Sequence, residues 1–128
     1  MNEQDLFNSE LPVLDLQVLG QIELLGDVTG VDLVGQLTVQ FLGDARSRVN
    51  ELHQAMVAGD RTALLRSAHN LRGASATLGA TGLSCLCAAL EAKADDISPW
   101  LGFRFLEAIR SELDRVQHAF SSRVHAVI

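Results

Sequence analysis

The sequence predicts an all-α protein, an antiparallel up-down four-helix bundle with a short N-terminal capping helix, and three observations carry that prediction. Apolar residues recur at spacings of three and four through four long segments. Only two prolines occur, Pro12 and Pro99, tyrosine is absent, and Leu, Ala, Arg, Glu and Gln dominate between the glycines. The connections are short, such as Gly59-Asp60 and Gly79-Ala80, and short connections join antiparallel neighbours. The chain has 128 residues and is 48% apolar, enough for one core and too short for a second domain.

The elements follow in order. A polar tail covers residues 1–11, and the bundle is expected over 12–128. Asp15 to Leu25 predicts a short helix ending at Gly26. From Asp32 to Ala58, the residues Val34, Leu37, Phe41, Ala45, Val49, Leu52 and Met56 form one long apolar stripe, closed by Gly59. Asp60 is an N-cap for a third helix to about Leu78, with Leu64, Ala68, Leu71, Ser75 and Leu78 inward and Gly79 at its end. A fourth helix over Thr81 to Asp95 buries Leu83, Leu86, Cys87, Leu90 and Ala94 and leaves Glu91 and Lys93 at its wetter edge. Ser98-Pro99 opens the last helix, whose stripe is Leu106, Ile109, Leu113, Val116, Phe120 and Val124.

Charge and cysteine content exclude several classes. Ten Lys+Arg against sixteen Asp+Glu give a net charge of -6, and Lys93 with scattered arginines offers no basic face for nucleic acid or an acidic membrane surface. Cys85 and Cys87 stand two apart, which suits neither a disulfide framework nor a zinc site. The opening MNEQDLFNSELP lacks the basic and apolar regions of a signal peptide, and the stretch from Gly73 to Leu90 is too polar and glycine-rich to span a membrane. The expected setting is cytoplasmic.

One residue is not needed by this core. His69 points about 140° away from the stripe of Leu64, Leu71 and Leu78, so it faces solvent in mid-helix. Gly73 and Ala76 leave the backbone bare beside it, where a surface helix normally carries Glu, Lys or Gln. A glycine inside a helix costs about 0.5 to 1 kcal/mol relative to alanine, so Gly73 points to something that must approach closely. Arg72, three residues on, can bring guanidinium donors to an anion held on the ring. An exposed imidazole is largely neutral near pH 7 and needs no separate base to attack phosphorus. Phosphoryl transfer depends on in-line positioning and charge neutralisation, which a partner protein can supply. Geometry alone still leaves open an ordinary surface histidine.

The run Ala68-His69-Asn70-Leu71-Arg72-Gly73-Ala74-Ser75-Ala76-Thr77-Leu78-Gly79-Ala80, continuing through Leu83, Cys87, Leu90 and Glu91, resembles the signature of histidine-containing phosphotransfer (HPt) domains. That pattern reads A-H-x-L-K-G-[SA]-[SA]-x-x-[LI]-G-A, followed by L-x-x-x-C-x-x-L-E. Leu14-Asp15, Phe41-Leu42 and Ala58-Gly59-Asp60 extend the likeness, which covers Pro12 to Val124. The resemblance implies a phosphorelay intermediate of two-component signalling. His69 would accept a phosphoryl group from the aspartate of one response-regulator receiver domain and pass it to another. It further implies that Arg72 supports the phosphohistidine electrostatically, and that Leu65, Arg72, Gly73 and Ala76 belong to the face that docks the receiver. Neither ATP nor any cofactor is expected on the chain itself, Mg2+ being the partner receiver's; a hybrid sensor kinase is a further expected partner, and the expected state is a monomer. The family usually has lysine where this chain has Arg72, and arginine's planar fork binds anions in a different geometry.

Two other readings stay open at this stage: a docking adaptor without chemistry, and the phosphorylatable domain of a hybrid or chemotaxis-type sensor kinase. No Walker loop, dinucleotide fingerprint, Gly-x-Ser-x-Gly elbow or kinase motif occurs. His53, His118 and His125 read as solvated surface histidines, since no i, i+4 pair or HExxH accompanies them. Cys87 reads as core; Cys85 reads as the more accessible thiol, and a redox role for it has no supporting basic neighbour, so it reads as inert. Trp100, Phe103 and Phe105 are read as capping one end of the bundle.

Overall fold

The computed structural model describes Phe7 and residues 13–127, with side chains followed as far as Ser122. Among the described residues the fold contains α1 (Leu16–Thr29), α2 (Leu33–Ala58), α3 (Arg61–Thr77), α4 (Thr81–Lys93) and α5 (Pro99–Val127), with a 3-10 turn at Ala94–Asp96 before the last. No strand occurs among the described residues. The helix α2 packs on α3 and α5, and α4 packs on the same two helices, so these four close a ring around one core. The remaining helix, α1, lies against α2.

Local chemistry sets the boundaries. Each of α1, α2 and α3 begins at an aspartate whose carboxylate accepts from backbone N–H groups of the first turn: Asp15 from Gln17 at 2.9 Å, Asp32 from Gly35 at 3.0 Å, Asp60 from Ala63 at 3.0 Å. At the start of α5 the Ser98 hydroxyl accepts from Leu101 N–H at 3.2 Å. The reversals after α1, α2 and α3 place Gly30, Gly59 and Gly79 at φ of 74°, 67° and 79°, a region that disfavours other residues.

Two boundaries differ from the sequence reading. The first helix does not stop at Gly26 but runs on to Thr29. Gly26 serves close packing instead: a Cβ there would sit 2.7 Å from the Val31 carbonyl oxygen, and Val31 N–H bonds back to Gly26 O at 3.1 Å. The fourth helix yields to the 3-10 turn at Ala94, short of Asp95.

The stripe read on α3 is buried from Leu64 to Leu78, and so is that of α4 from Leu83 to Ala94. On α5, Leu106, Ile109, Leu113, Val116 and Phe120 are inside, while Val124 and His125 lie beyond the described side chains. On α2, Val34, Leu37 and Met56 are only half-buried, and Ala55 joins Phe41, Ala45, Val49 and Leu52 in the core. The three aromatics of early α5 do not act together: Phe105 is completely buried, whereas Trp100 and Phe103 are exposed. Phe7, from the expected tail, sets its ring edge-on to Phe105 with centroids 5.0 Å apart.

The N-terminal helix is tied to the α3–α4 turn, since Asp15 N–H donates to the Gly79 carbonyl and Val18 lies beside Gly79. Ser67 on α3 donates to Glu51 on α2 at 3.1 Å, which satisfies a buried hydroxyl and pins the same helix from the other side. Among the described residues no helix is long and apolar enough to cross a membrane.

Candidate functional site

The outer face of α3 gathers the residues singled out in the sequence. Leu65, His69, Arg72, Gly73 and Ala76 fall within about 100° of one another around the helix, at 100° per residue. His69 leaves 59% of its side chain in solvent and Arg72 40%. A Cβ built on Gly73 meets nothing within 4 Å, so no atom of this chain requires glycine there. The open space beside the imidazole faces outward and is available to another molecule.

A third group joins from the neighbouring helix. Glu91 Oε1 lies 2.8 Å from His69 Nδ1, and Glu91 Oε2 lies 2.7 Å from Arg72 Nε. The α3–α4 hairpin explains the meeting. His69 stands ten residues before Gly79 and Glu91 twelve after it. At 1.5 Å per residue, both lie about 15 to 18 Å from the turn, and so at one level. Ser84 fastens the two helices nearer the turn by donating its hydroxyl to Arg72 O at 3.3 Å.

Chemistry assigns the protons of this cluster. Arg72 Nη2 also stands 3.1 Å from His69 Nδ1. One ring nitrogen cannot donate to a carboxylate and accept from a guanidinium at once. An ionised carboxylate only accepts, so Nδ1 carries the proton and gives it to Glu91, which leaves Nε2 with the lone pair. Arg72 owes its position to Glu91 rather than to the ring. The Nε contact is an ion pair whose N–H is not directed along a hydrogen bond. The guanidinium is therefore held near the imidazole without a bidentate lock, and its outer N–H groups can turn towards an incoming anion.

The sequence placed Glu91 only at a wet edge of its helix and at the end of a motif; its contact with His69 is a tertiary fact. That motif glutamate, together with the similar distances from Gly79, was the signal that could have found it.

The other candidates lie apart from this face. His53 is exposed on α2, with its ring centroid 6.1 Å from that of Phe103 and Arg110 Nη2 3.3 Å from its Nδ1. His118 is exposed on α5. Among the described residues no three His, Cys, Asp or Glu side chains group as a metal site. Cys87 is buried, and burial chiefly, with Glu91 adding, pushes its thiol up to about 12. Arg104 and Arg115 of α5 line the same cleft as Cys85. They come from a different helix, so spacing along α4 could not show them.

Fold and face together define a helical protein with an exposed histidine, a carboxylate and a guanidinium gathered on one open surface. The family model of the Hpt domain matches residues 36–119, and the chain belongs to that family, whose function is histidine phosphotransfer in phosphorelays. Histidine-containing phosphotransfer protein B from Pseudomonas aeruginosa is 30% identical over 89% of this chain and 96% of its own, with a TM-score of 0.74. A rice protein described as a histidine-containing phosphotransfer protein superposes with a TM-score of 0.80, over 95% of this chain and 90% of that one. At 20% identity, that second likeness shows the fold alone. Among curated proteins none matches.

Proposed function

We propose that His69 is the phospho-acceptor of this domain and that the exposed face of α3 docks a receiver. The observation that carries the reading is the hydrogen bond from Nδ1 to Glu91, which leaves the Nε2 lone pair outward on an open face. In the transfer, Nε2 attacks the phosphorus of a receiver's aspartyl phosphate. The N–P bond forms as the P–O bond to the aspartate breaks, and the electron pair leaves on the carboxylate. The proton stays on Nδ1, hydrogen-bonded to Glu91, whose carboxylate offsets the positive charge developing on the ring. Arg72 turns towards the equatorial phosphoryl oxygens, where its charge offsets theirs. Reversal of the same steps delivers the group to a second receiver.

The partner supplies the divalent metal and the in-line geometry, and this chain supplies an accessible nucleophile without ATP chemistry of its own. Leu65, Gly73 and Ala76 present a low, partly apolar surface around the ring, suited to close approach of a receiver. We place the protein in the cytoplasm as a monomer, served by a hybrid sensor kinase. Arginine at position 72 in place of lysine keeps the charge and alters how it meets the phosphoryl group, which bears on rate and partner choice. The test is incubation with an acetyl-phosphate-charged receiver. Wild type should gain an acid-labile phosphate and His69→Gln none; a receiver that binds both and labels neither would make the domain a docking adaptor.

A further inference from the structure

The helix that carries His69 runs against the charge of the chain. In a protein of net charge -6, α3 holds Arg61, Arg66 and Arg72 and no Asp or Glu. Two of these arginines are committed within the molecule: the Arg61 guanidinium donates to the Asp95 carbonyl, and Arg72 pairs with Glu91 at 2.7 Å. Arg66 is exposed and has no hydrogen bond or ion pair among the described residues. Its own helix offers none, since the positions three and four away are Thr62, Ala63, His69 and Asn70. Across the seam with α2, Glu51 is already taken up by Ser67 at 3.1 Å and Arg48 at 3.0 Å.

Position gives this uncommitted charge a meaning. At 100° per residue, Arg66 and Arg72 stand about 60° to either side of His69, one turn before it and one turn after. Residues three apart on a helix have Cβ atoms about 5 to 6 Å apart, so both guanidinium groups reach a molecule seated on the ring. Their freedom differs: Glu91 holds Arg72 on the α4 side of the imidazole, whereas Arg66 lies on the edge towards α2 without restraint. A receiver must hold a divalent metal beside its phosphorylated aspartate, and a hard cation such as Mg2+ is held by carboxylate oxygens. The surface that comes to His69 is therefore acidic. Repulsion from a chain of net charge -6 opposes that encounter, and a cation on the docking face offsets it.

Building on the reading of His69 as phospho-acceptor, we propose that Arg66 is a specificity-determining docking residue: it pairs with a carboxylate on the rim of the receiver's phosphorylation pocket and so selects receivers that carry acid there. The two free ends of the face then divide the work. Arg72, beside the ring, meets the charge of the phosphoryl group, and Arg66, one turn away, meets the partner's surface. Arg66 lies outside the run from Ala68 to Ala80 that carries the family signature. A rim ion pair acts mainly on encounter and orientation, so its effect shows in the receiver concentration needed and in the salt dependence, and less in the rate of the bound complex.

The test measures single-turnover transfer from an acetyl-phosphate-charged receiver to the intact protein over a range of receiver and salt concentrations. At low salt, Arg66→Gln should raise the receiver concentration at half-maximal rate about three- to fivefold and Arg66→Glu about tenfold or more, while the saturating rate falls less than about twofold. Salt of about 0.5 M should close most of that gap. Arg72→Ala should show the opposite split, with the loss in the saturating rate. Among receiver variants with one rim acid reversed to lysine, one should transfer better to Arg66→Glu than to wild type. Receiver binding to His69→Gln, measured without transfer, keeps the two readings apart. Adding Arg66→Glu should weaken that binding; if it does and wild-type His69 still takes no phosphate, the phospho-acceptor reading falls and the docking charge stands. Unchanged half-saturation in Arg66→Glu, a loss confined to the saturating rate, or a loss that salt does not reduce would overturn the proposal.

Discussion

The two faces of α3 show how one helix divides its labour. The inner face, Leu64, Ala68, Leu71, Ser75 and Leu78, is buried and complete within the chain, and even the Ser75 hydroxyl is satisfied by the Leu71 carbonyl at 2.6 Å. The outer face, Leu65, His69, Arg72, Gly73 and Ala76, is incomplete: an imidazole and a guanidinium held by a single neighbouring carboxylate beside a patch of bare backbone. The inner face accounts for stability, and on the proposed function the outer face acts only when a receiver arrives. Changes on the two faces should therefore separate into folding effects and transfer effects.

The largest stability effect belongs to the inner face. Leu71→Ala should cost about 2 to 5 kcal/mol, because it opens a cavity at a position 1% exposed, while transfer per folded molecule stays near wild type. Thermal denaturation together with a transfer assay well below the midpoint separates the two quantities; a transfer defect in the folded variant would blur the division.

On the outer face, Glu91→Ala should slow transfer most among the supporting residues. The loss of a charge-assisted hydrogen bond, about 1.5 to 3 kcal/mol, corresponds to about a ten- to hundredfold drop in rate. Glu91→Gln sharpens the point, since an amide oxygen still accepts from Nδ1 but no longer attracts Arg72. It should recover part of the loss, and equal defects in both variants would show that charge rather than tautomer control is at stake. Nitrogen chemical shifts of the imidazole offer a direct reading, with the proton moving off Nδ1 in the alanine variant.

Arg72→Ala should slow transfer by about tenfold or more and change stability by no more than about 0.5 kcal/mol, as expected of an exposed group that meets charge in the transition state. A large stability loss with unchanged transfer would move Arg72 to the structural side. The smallest effect is expected at Gly73. Gly73→Gln has room, since nothing lies within 4 Å of the added Cβ, and should raise stability by about 0.5 to 1 kcal/mol while weakening receiver binding. Stabilisation with unaltered binding would remove the clearance argument.

These contrasts also show what the sequence disclosed. Helix periodicity placed the inner stripes of α3 and α4 because each is a local pattern read at 3.6 residues per turn. The caps read at Asp60 and Ser98 were equally local, while Asp15 and Asp32, read only as helix starts, turn out to cap α1 and α2. The exposed His69 and the adjacent Arg72 followed from the same geometry. Groups from two helices were another matter. Glu91 reaches His69 only because the turn at Gly79 sets the two helices level, and Arg104 and Arg115 reach the cleft of Cys85 only because α4 packs on α5. Gly26 misled as a stop signal, since a glycine required by a crossing chain looks like a helix terminator until the crossing is known. Phe105 was read as an end cap with Trp100 and Phe103, yet its neighbour Leu106 shares the inward stripe and the two sit side by side in the core.

The most direct test of the central claim follows phosphate from a charged receiver to this domain and locates it by mass spectrometry under conditions that preserve acid-labile adducts. A single phosphoryl group on His69 of the wild-type protein is predicted, with none on a His69→Gln variant of unchanged helicity. Equal labelling of the two proteins, or an adduct on any other residue, would contradict the assignment.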